Sequence, residues 1–308
     1  MNTQTKLTII AISIVIPITS VVVYGTNTPQ QITSTDNSKL QVISSFNPLY
    51  EFSQIVGKEK VDVTLLVPVG VEPHDWEPTI KDVQQIQKSN LIVINGIGFE
   101  NWVDDLVENN YQGKIIDTSN GIVTIKSEEN NKEHDEEHID DSGDPHIWLN
   151  PVYAKKQVQN IAIAFSNSDP ENGEFYHTNA ARYNEKLNSL DTKIRNDLSS
   201  CKQDFIAFHD AFSYFADEYD LNQHTIIATT NSHGEVTAKT LENVISIARE
   251  LNIKIIFSEE TTNTKTSQII ANEIGGKVLV LSPLEIVSED NYISKMTQNL
   301  ENLKEALC

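Results

Sequence analysis

From residue 40 onward, short apolar runs alternate with amphipathic stretches. Leu40–Phe46, Val61–Val67, Leu91–Ile97 and Lys114–Asp117 read as buried strands. Between them, Pro48–Val56 and Thr79–Ser89 carry helical spacing, and Asn101–Glu108 is a shorter helical candidate. The alternation returns with strands predicted at Asp204–Phe208, His224–Thr229, Lys254–Ser258 and Lys277–Leu281. Helices are predicted there at Ala211–Tyr219, Ala238–Leu251, Ser267–Ile274 and Tyr292–Leu307. The pattern predicts an α/β protein of two lobes, each a four-stranded, mostly parallel sheet flanked by helices. Between the lobes, Val152–Ser166 follows Pro151, a residue suited to a first helical turn. A break at Asp169–Gly173 precedes Glu174–Leu198, where Tyr176, Ala180, Tyr183, Leu187, Leu190 and Ile194 keep helical spacing. A helix of that length spans ~37 Å, so one rigid helix is expected to join the lobes.

The N-terminus differs. Leu7–Tyr24 is an uncharged, Ile/Val/Leu-rich run behind Lys6, which reads as a signal sequence or a membrane anchor. It holds no Cys to carry a lipid. The expected organisation is therefore a signal or anchor over 1–26 and a polar linker over 27–38. A first lobe follows over 39–172 with an acidic loop at 127–144, then a connecting helix over 173–200 and a second lobe over 201–308. Export implies an extracytoplasmic location: periplasmic, or on the cell surface through the N-terminal segment.

Charge narrows the functions. Lys and Arg number 23 against 44 Asp and Glu, a formal net charge of −21. That balance excludes nucleic acid, whose phosphates need clustered cations. The two cysteines, Cys201 and Cys308, cannot form a Cys-rich metal cluster, so a metal site must use His and carboxylates. Cys201 lies where the long helix meets the second lobe, and Cys308 ends a helix expected to pack on that lobe. An exported chain could bridge them.

Three histidines stand in loops after predicted strands. His74 lies in Val71-Glu72-Pro73-His74-Asp75-Trp76-Glu77-Pro78-Thr79, and His146 in Asp144-Pro145-His146-Ile147-Trp148-Leu149-Asn150-Pro151. His209 ends the strand before Asp210-Ala211-Phe212. Ligands in α/β sheets bind at the carboxyl ends of strands. Three imidazoles at such positions suit Zn²⁺ and leave a fourth place for a carboxylate or water. The flanking prolines stiffen the first two loops. His177 reads as a surface residue of the long helix, His224 as structural and His233 as a loop residue. In the acidic loop, nine acids accompany one Lys, with His134 and His138 four residues apart.

These three motifs, in this order and with the long connecting helix, resemble those of the zinc and manganese solute-binding proteins of ABC importers. The resemblance spans about residues 40 to 307. It implies an extracytoplasmic binding protein that is not an enzyme, captures Zn²⁺ between two lobes and hands it to the membrane permease of an ABC importer. The chain is expected to act as a monomer. In that family the positions of His74, His146 and His209 bind the ion. The family's fourth ligand, an Asp, falls here on Ser282, a poor donor, which leaves water, Glu259 or Glu285 as the fourth. Glu259 is similar to a family Glu that orients a histidine. Members selective for Mn²⁺ carry a carboxylate at the position of His209, so the imidazole favours Zn²⁺. His134 and His138 match a loop that relatives use to collect zinc weakly. The alternatives are a zinc-dependent hydrolase, or a surface adhesin with structural zinc.

Overall fold

The first strand of each half occupies the middle of its sheet. Strands β1 (Leu40–Ser44), β2 (Val61–Leu65), β3 (Leu91–Ile94) and β4 (Lys114–Asp117) pair in the order β2-β1-β3-β4, all parallel. Helices α1 (Asn47–Gly57), α2 (Ile80–Ile86) and α3 (Val103–Glu108) connect them. Two long helices follow, α4 (Pro151–Ser168) and α5 (Gly173–Leu198). In the second half β5 (Asp204–Ala207), β6 (Asn222–Thr225), β7 (Ile255–Ser258) and β8 (Lys277–Val280) repeat the arrangement as β6-β5-β7-β8, again all parallel. Their helices are α6 (Ser213–Glu218), α7 (Ala238–Glu250), α8 (Lys265–Ile274) and α9 (Tyr292–Leu307). Such an order reverses direction between the central strands, where the carboxyl-end loops part and a ligand can enter.

The structure, a computed structural model, describes residues 39–125, 143–227, 236–260 and 264–308. The N-terminal segment, the linker, His134, His138 and His233 lie outside the described residues. Among the described residues, no helix is long and apolar enough to cross a membrane.

Both four-stranded sheets form as the alternation predicts, and every pairing in them is parallel. One expectation changes. The strand expected at His224–Thr229 lies at Asn222–Thr225, because Asn222 and Gln223 pair with Asp204 and Phe205. Tertiary pairing at a sheet edge overrides the weak strand preference of these polar residues. His224 therefore sits inside the strand, its Nε2 3.0 Å from Asp204 Oδ1.

The periodic residues of α5 form one buried stripe, from Tyr176 through Ala180, Tyr183, Leu187 and Leu190 to Ile194. They join Val42 and Phe52 of the first half to Phe205 and Phe257 of the second in one continuous apolar core. Smaller cores cover the outer faces of the two sheets. Both sheets thus belong to one compact unit, Lys39–Cys308.

Cys201, just past α5, and Cys308, just past α9, form a disulfide with Cα atoms 4.6 Å apart. Beside it, Lys202 N donates to Leu307 O at 3.0 Å. The unreduced, unfolded protein is expected to take no thiol label, and two after reduction, when weighed by mass spectrometry. Opening a loop of 107 residues should lower stability by about 2–4 kcal/mol, read as a fall in thermal midpoint. Two labels before reduction would contradict the bridge.

Candidate metal centre

Local caps set the loops that carry the first two histidines. The His74 loop ends in a capping box, in which the Thr79 side chain accepts from Asp82 N while the Asp82 carboxylate accepts from Thr79 N. The His146 loop ends where the Asn150 side chain accepts from Val152 N at 2.8 Å, with Pro151 opening α4. His209 lies two residues past β5, in a turn held by Phe212 N donating to Gln223 Oε1 at 2.7 Å.

The fourth chain segment arrives from beyond β8. Asn299 on α9 clamps Ser282 from both sides, accepting from its N–H at 2.8 Å and donating to its carbonyl at 2.7 Å. Ser282 Oγ accepts from Leu284 N at 3.2 Å, and Leu284 adopts a left-handed φ of 62°. Ser282 therefore shapes a turn, and that turn delivers Glu285. Two bonds from the first half tie the same turn: Trp148 Nε1 to Pro283 O at 2.7 Å and Asn47 Nδ2 to Leu284 O at 3.1 Å.

Together these segments bring His74, His146, His209 and Glu285 into one cluster, each offering a donor atom within 4.8 Å of the others. His146 Nε2 lies 3.2 Å from His74 Nε2 and 3.3 Å from His209 Nε2. Glu285 Oε1 lies 3.2 Å from His74 Nε2 and 3.5 Å from His146 Nε2. A tetrahedron with metal bonds of ~2.05 Å has edges of ~3.3 Å. Four of the six donor separations, 3.2–3.5 Å, lie close to that edge and all six lie within 4.8 Å, so small shifts would let the four atoms hold a tetrahedral ion. His146 and His209 are fully buried, while the His74 side chain keeps 8% of its surface exposed.

The outer nitrogens have carboxylate partners. Asp144 Oδ1 lies 2.7 Å from His146 Nδ1, and Glu259 Oε1 lies 2.5 Å from His209 Nδ1. Each contact turns the imidazole's Nε2 toward the cluster centre. Glu259 thus pairs with a histidine's outer face, and Glu285 is the carboxylate among the inner donors.

Electrostatics follow from this packing. Burial presses the His146 imidazole toward neutrality, but Asp144 and Glu285 outweigh it and push its pKa up to about 10. Burial likewise opposes charge on His209, yet Glu259 dominates and raises it. Burial prevails at His74 and lowers it. At Glu285, hydrogen bonds from His146 and His74 overcome burial and hold the carboxyl well below its usual range. Sequence reasoning missed Glu72, half-buried beside His74. Burial and the neighbouring charge of Glu285 push its pKa up to about 8. Its place two residues before His74 was the only signal. His177 is exposed on α5, away from burial in any site.

The family described as ZnuA, zinc-uptake complex component A periplasmic, matches residues 42–306. The high-affinity zinc uptake system protein ZnuA of Bacillus subtilis is 39% identical over 283 residues, covering 87% of this chain and 88% of that protein. The solved structure of the metal-dependent lipoprotein YcdH from Bacillus subtilis superposes with a TM-score of 0.76 at 38% identity, covering 87% of this chain and 99% of that one. The Zn(II)-bound AdcA from Streptococcus pneumoniae gives a TM-score of 0.75 at 33% identity, over 87% of this chain and 58% of that longer one.

Asp144→Asn should keep the fold but loosen His146 in a set tautomer and position. Losing such an outer partner typically costs about 10- to 100-fold in metal affinity. Competition against a chromophoric chelator checks it, and an unchanged affinity would contradict the role given to Asp144.

Proposed function

The chain belongs to the ZnuA family, and from that membership and the cluster geometry we propose that it captures Zn²⁺ outside the cytoplasm for import. The ion is held between the two halves by His74, His146, His209 and Glu285 and passes to the permease of an ABC importer. The observation that carries this reading is the convergence of three imidazole nitrogens and one carboxylate oxygen, from loops of both halves, within 4.8 Å of one another.

Three nitrogen donors and one oxygen favour Zn²⁺ over Mn²⁺, which prefers oxygen-rich, six-coordinate sites. Four protein donors also complete a tetrahedral shell. Catalytic zinc keeps a position open for water or substrate, so a closed shell supports carriage rather than hydrolysis. A location outside the membrane agrees with the apolar N-terminal segment and with the periplasmic description of the family. His134 and His138 would act as a weak collector in addition to the tight site.

Protons compete with the metal. In the metal-free protein, the raised pKa values of His146 and His209 stabilise the fold below ~6.5. That contribution is lost as pH rises, through about 10 for His146. Zinc needs the same nitrogens deprotonated, so the sign reverses for the loaded protein. Binding near neutral pH should release about one to two protons per ion, with His74 and Glu285 contributing none. Calorimetry in buffers of different ionisation enthalpy counts these protons. The rise in thermal midpoint caused by Zn²⁺ should grow from pH 6 to pH 9.

His209→Ala should weaken Zn²⁺ binding by more than the ~100-fold of losing an outer partner, and His177→Ala should leave it unchanged. Equal affinities of these two variants in chelator competition would overturn the proposed ligand set.

A further inference from the structure

Three consecutive residues after β3 adopt left-handed backbone: Gly96 at φ 86°, Ile97 at 58° and Gly98 at 70°. Glycine tolerates this conformation, and at Gly96 a Cβ would collide with the Asp117 carboxylate. Ile97 is β-branched, a residue type for which positive φ is a genuine outlier. Strain of this kind persists only where surrounding contacts enforce it, and such sites cluster near function. Here the enforcing group is one buried carboxylate, 7% exposed. Glu100 Oε1 accepts from Asn95 N at 2.8 Å and from Ser45 Oγ at 2.6 Å, and Oε2 accepts from Gly96 N at 3.1 Å. Among the described residues its hydrogen bonds are with these neutral donors, so the carboxylate is buried without a paired cation.

The turn it holds reaches two of the proposed metal ligands without touching a metal donor atom. At its far end, the Phe99 ring meets the His74 ring edge-on, centroids 4.8 Å apart, and packs against Trp148 at 5.2 Å. At its near end, Asn95 Nδ2 donates to Pro145 O at 2.8 Å, the carbonyl preceding His146. Asn95 is itself fixed, because its Oδ1 accepts from Gln157 Nε2 on α4 at 3.1 Å. The His74 ring and the backbone leading into His146 therefore lean on the same six residues, Asn95–Glu100.

We infer that Glu100 is a positioning residue for metal binding, locking the Asn95–Phe99 turn so that Phe99 sets His74 and Asn95 sets His146. This rests on the zinc-site reading above. Ligands already in place need no reordering when the ion arrives, so loss of the lock should weaken binding while leaving all four donors in the chain.

Two variants test it. Glu100→Gln keeps the size of the side chain but turns an amide N–H₂ toward the Gly96 N–H. Asn95→Ala removes the tether to Pro145, and decides the matter should Glu100→Gln not fold. Each is measured for Zn²⁺ affinity by chelator competition and, loaded with Co²⁺, for its visible absorption spectrum. Val244→Ala, on α7 in the smaller core that covers the outer face of the second sheet, serves as a destabilised control away from the cluster. The expected result is a fall in Zn²⁺ affinity of about 10- to 100-fold in each folded variant, with an altered Co²⁺ spectrum. Val244→Ala should lose thermal stability yet keep both affinity and spectrum. If zinc binding by the unaltered protein depends on His74 and His146, while Glu100→Gln and Asn95→Ala bind and absorb as it does, this inference alone is overturned. If that binding does not depend on His74 and His146, the zinc-site reading fails and takes the inference with it.

Discussion

His146 Nε2 stands 3.2 Å from His74 Nε2 and 3.3 Å from His209 Nε2, largely screened from water, and the rest of the architecture answers to that crowding. Such an arrangement is unfavourable for bare lone pairs and worse for several imidazolium charges. Carboxylates make it tolerable: Asp144 and Glu259 behind two of the rings, and Glu285 inside the cluster. The same set that holds protons in the metal-free protein presents neutral nitrogens to an ion. On the proposed reading, the cluster exchanges protons for metal rather than being assembled by it.

Assembly from both halves requires that the halves keep their separation. The buried stripe of α5 runs through a core shared by the two sheets, and bonds such as Trp148 to Pro283 and Tyr292 Oη to Trp148 O, at 2.6 Å, cross from one half to the other beside the cluster. Interiors packed in this way transmit displacement instead of absorbing it. The less buried His74, on a loop edged by exposed Val69 and Val71, is the most exposed of the proposed ligands. A rigid frame with one accessible donor suits reversible capture.

Much of this was legible beforehand where the signals are local. Strand and helix alternation, the Pro151 start of α4, the stripe of α5 and the span of α9 all follow from periods within one segment. The three histidine motifs were legible because each follows a strand in sequence, and the first two carry their own prolines. The fourth donor was not. Whether Ser282, Glu259 or Glu285 faces the centre depends on Asn299 and Asn47, 17 and 237 residues away from the groups they bond. No local pattern encodes such a turn. The edge strand β6 was misplaced for a similar reason, since pairing with β5 and not its own polar composition defines it. Glu100 had a visible marker in Gly96-Ile97-Gly98, a spacing that calls for left-handed backbone, but its consequence for His74 appears only in three dimensions.

The central claim is a closed, four-donor shell around zinc. X-ray absorption fine structure at the zinc edge of the loaded protein tests it most directly. The account predicts four nitrogen or oxygen neighbours at ~2.0–2.1 Å, three of them showing the outer scattering of imidazole rings. Two imidazoles, or a shell of five or six neighbours, would contradict it.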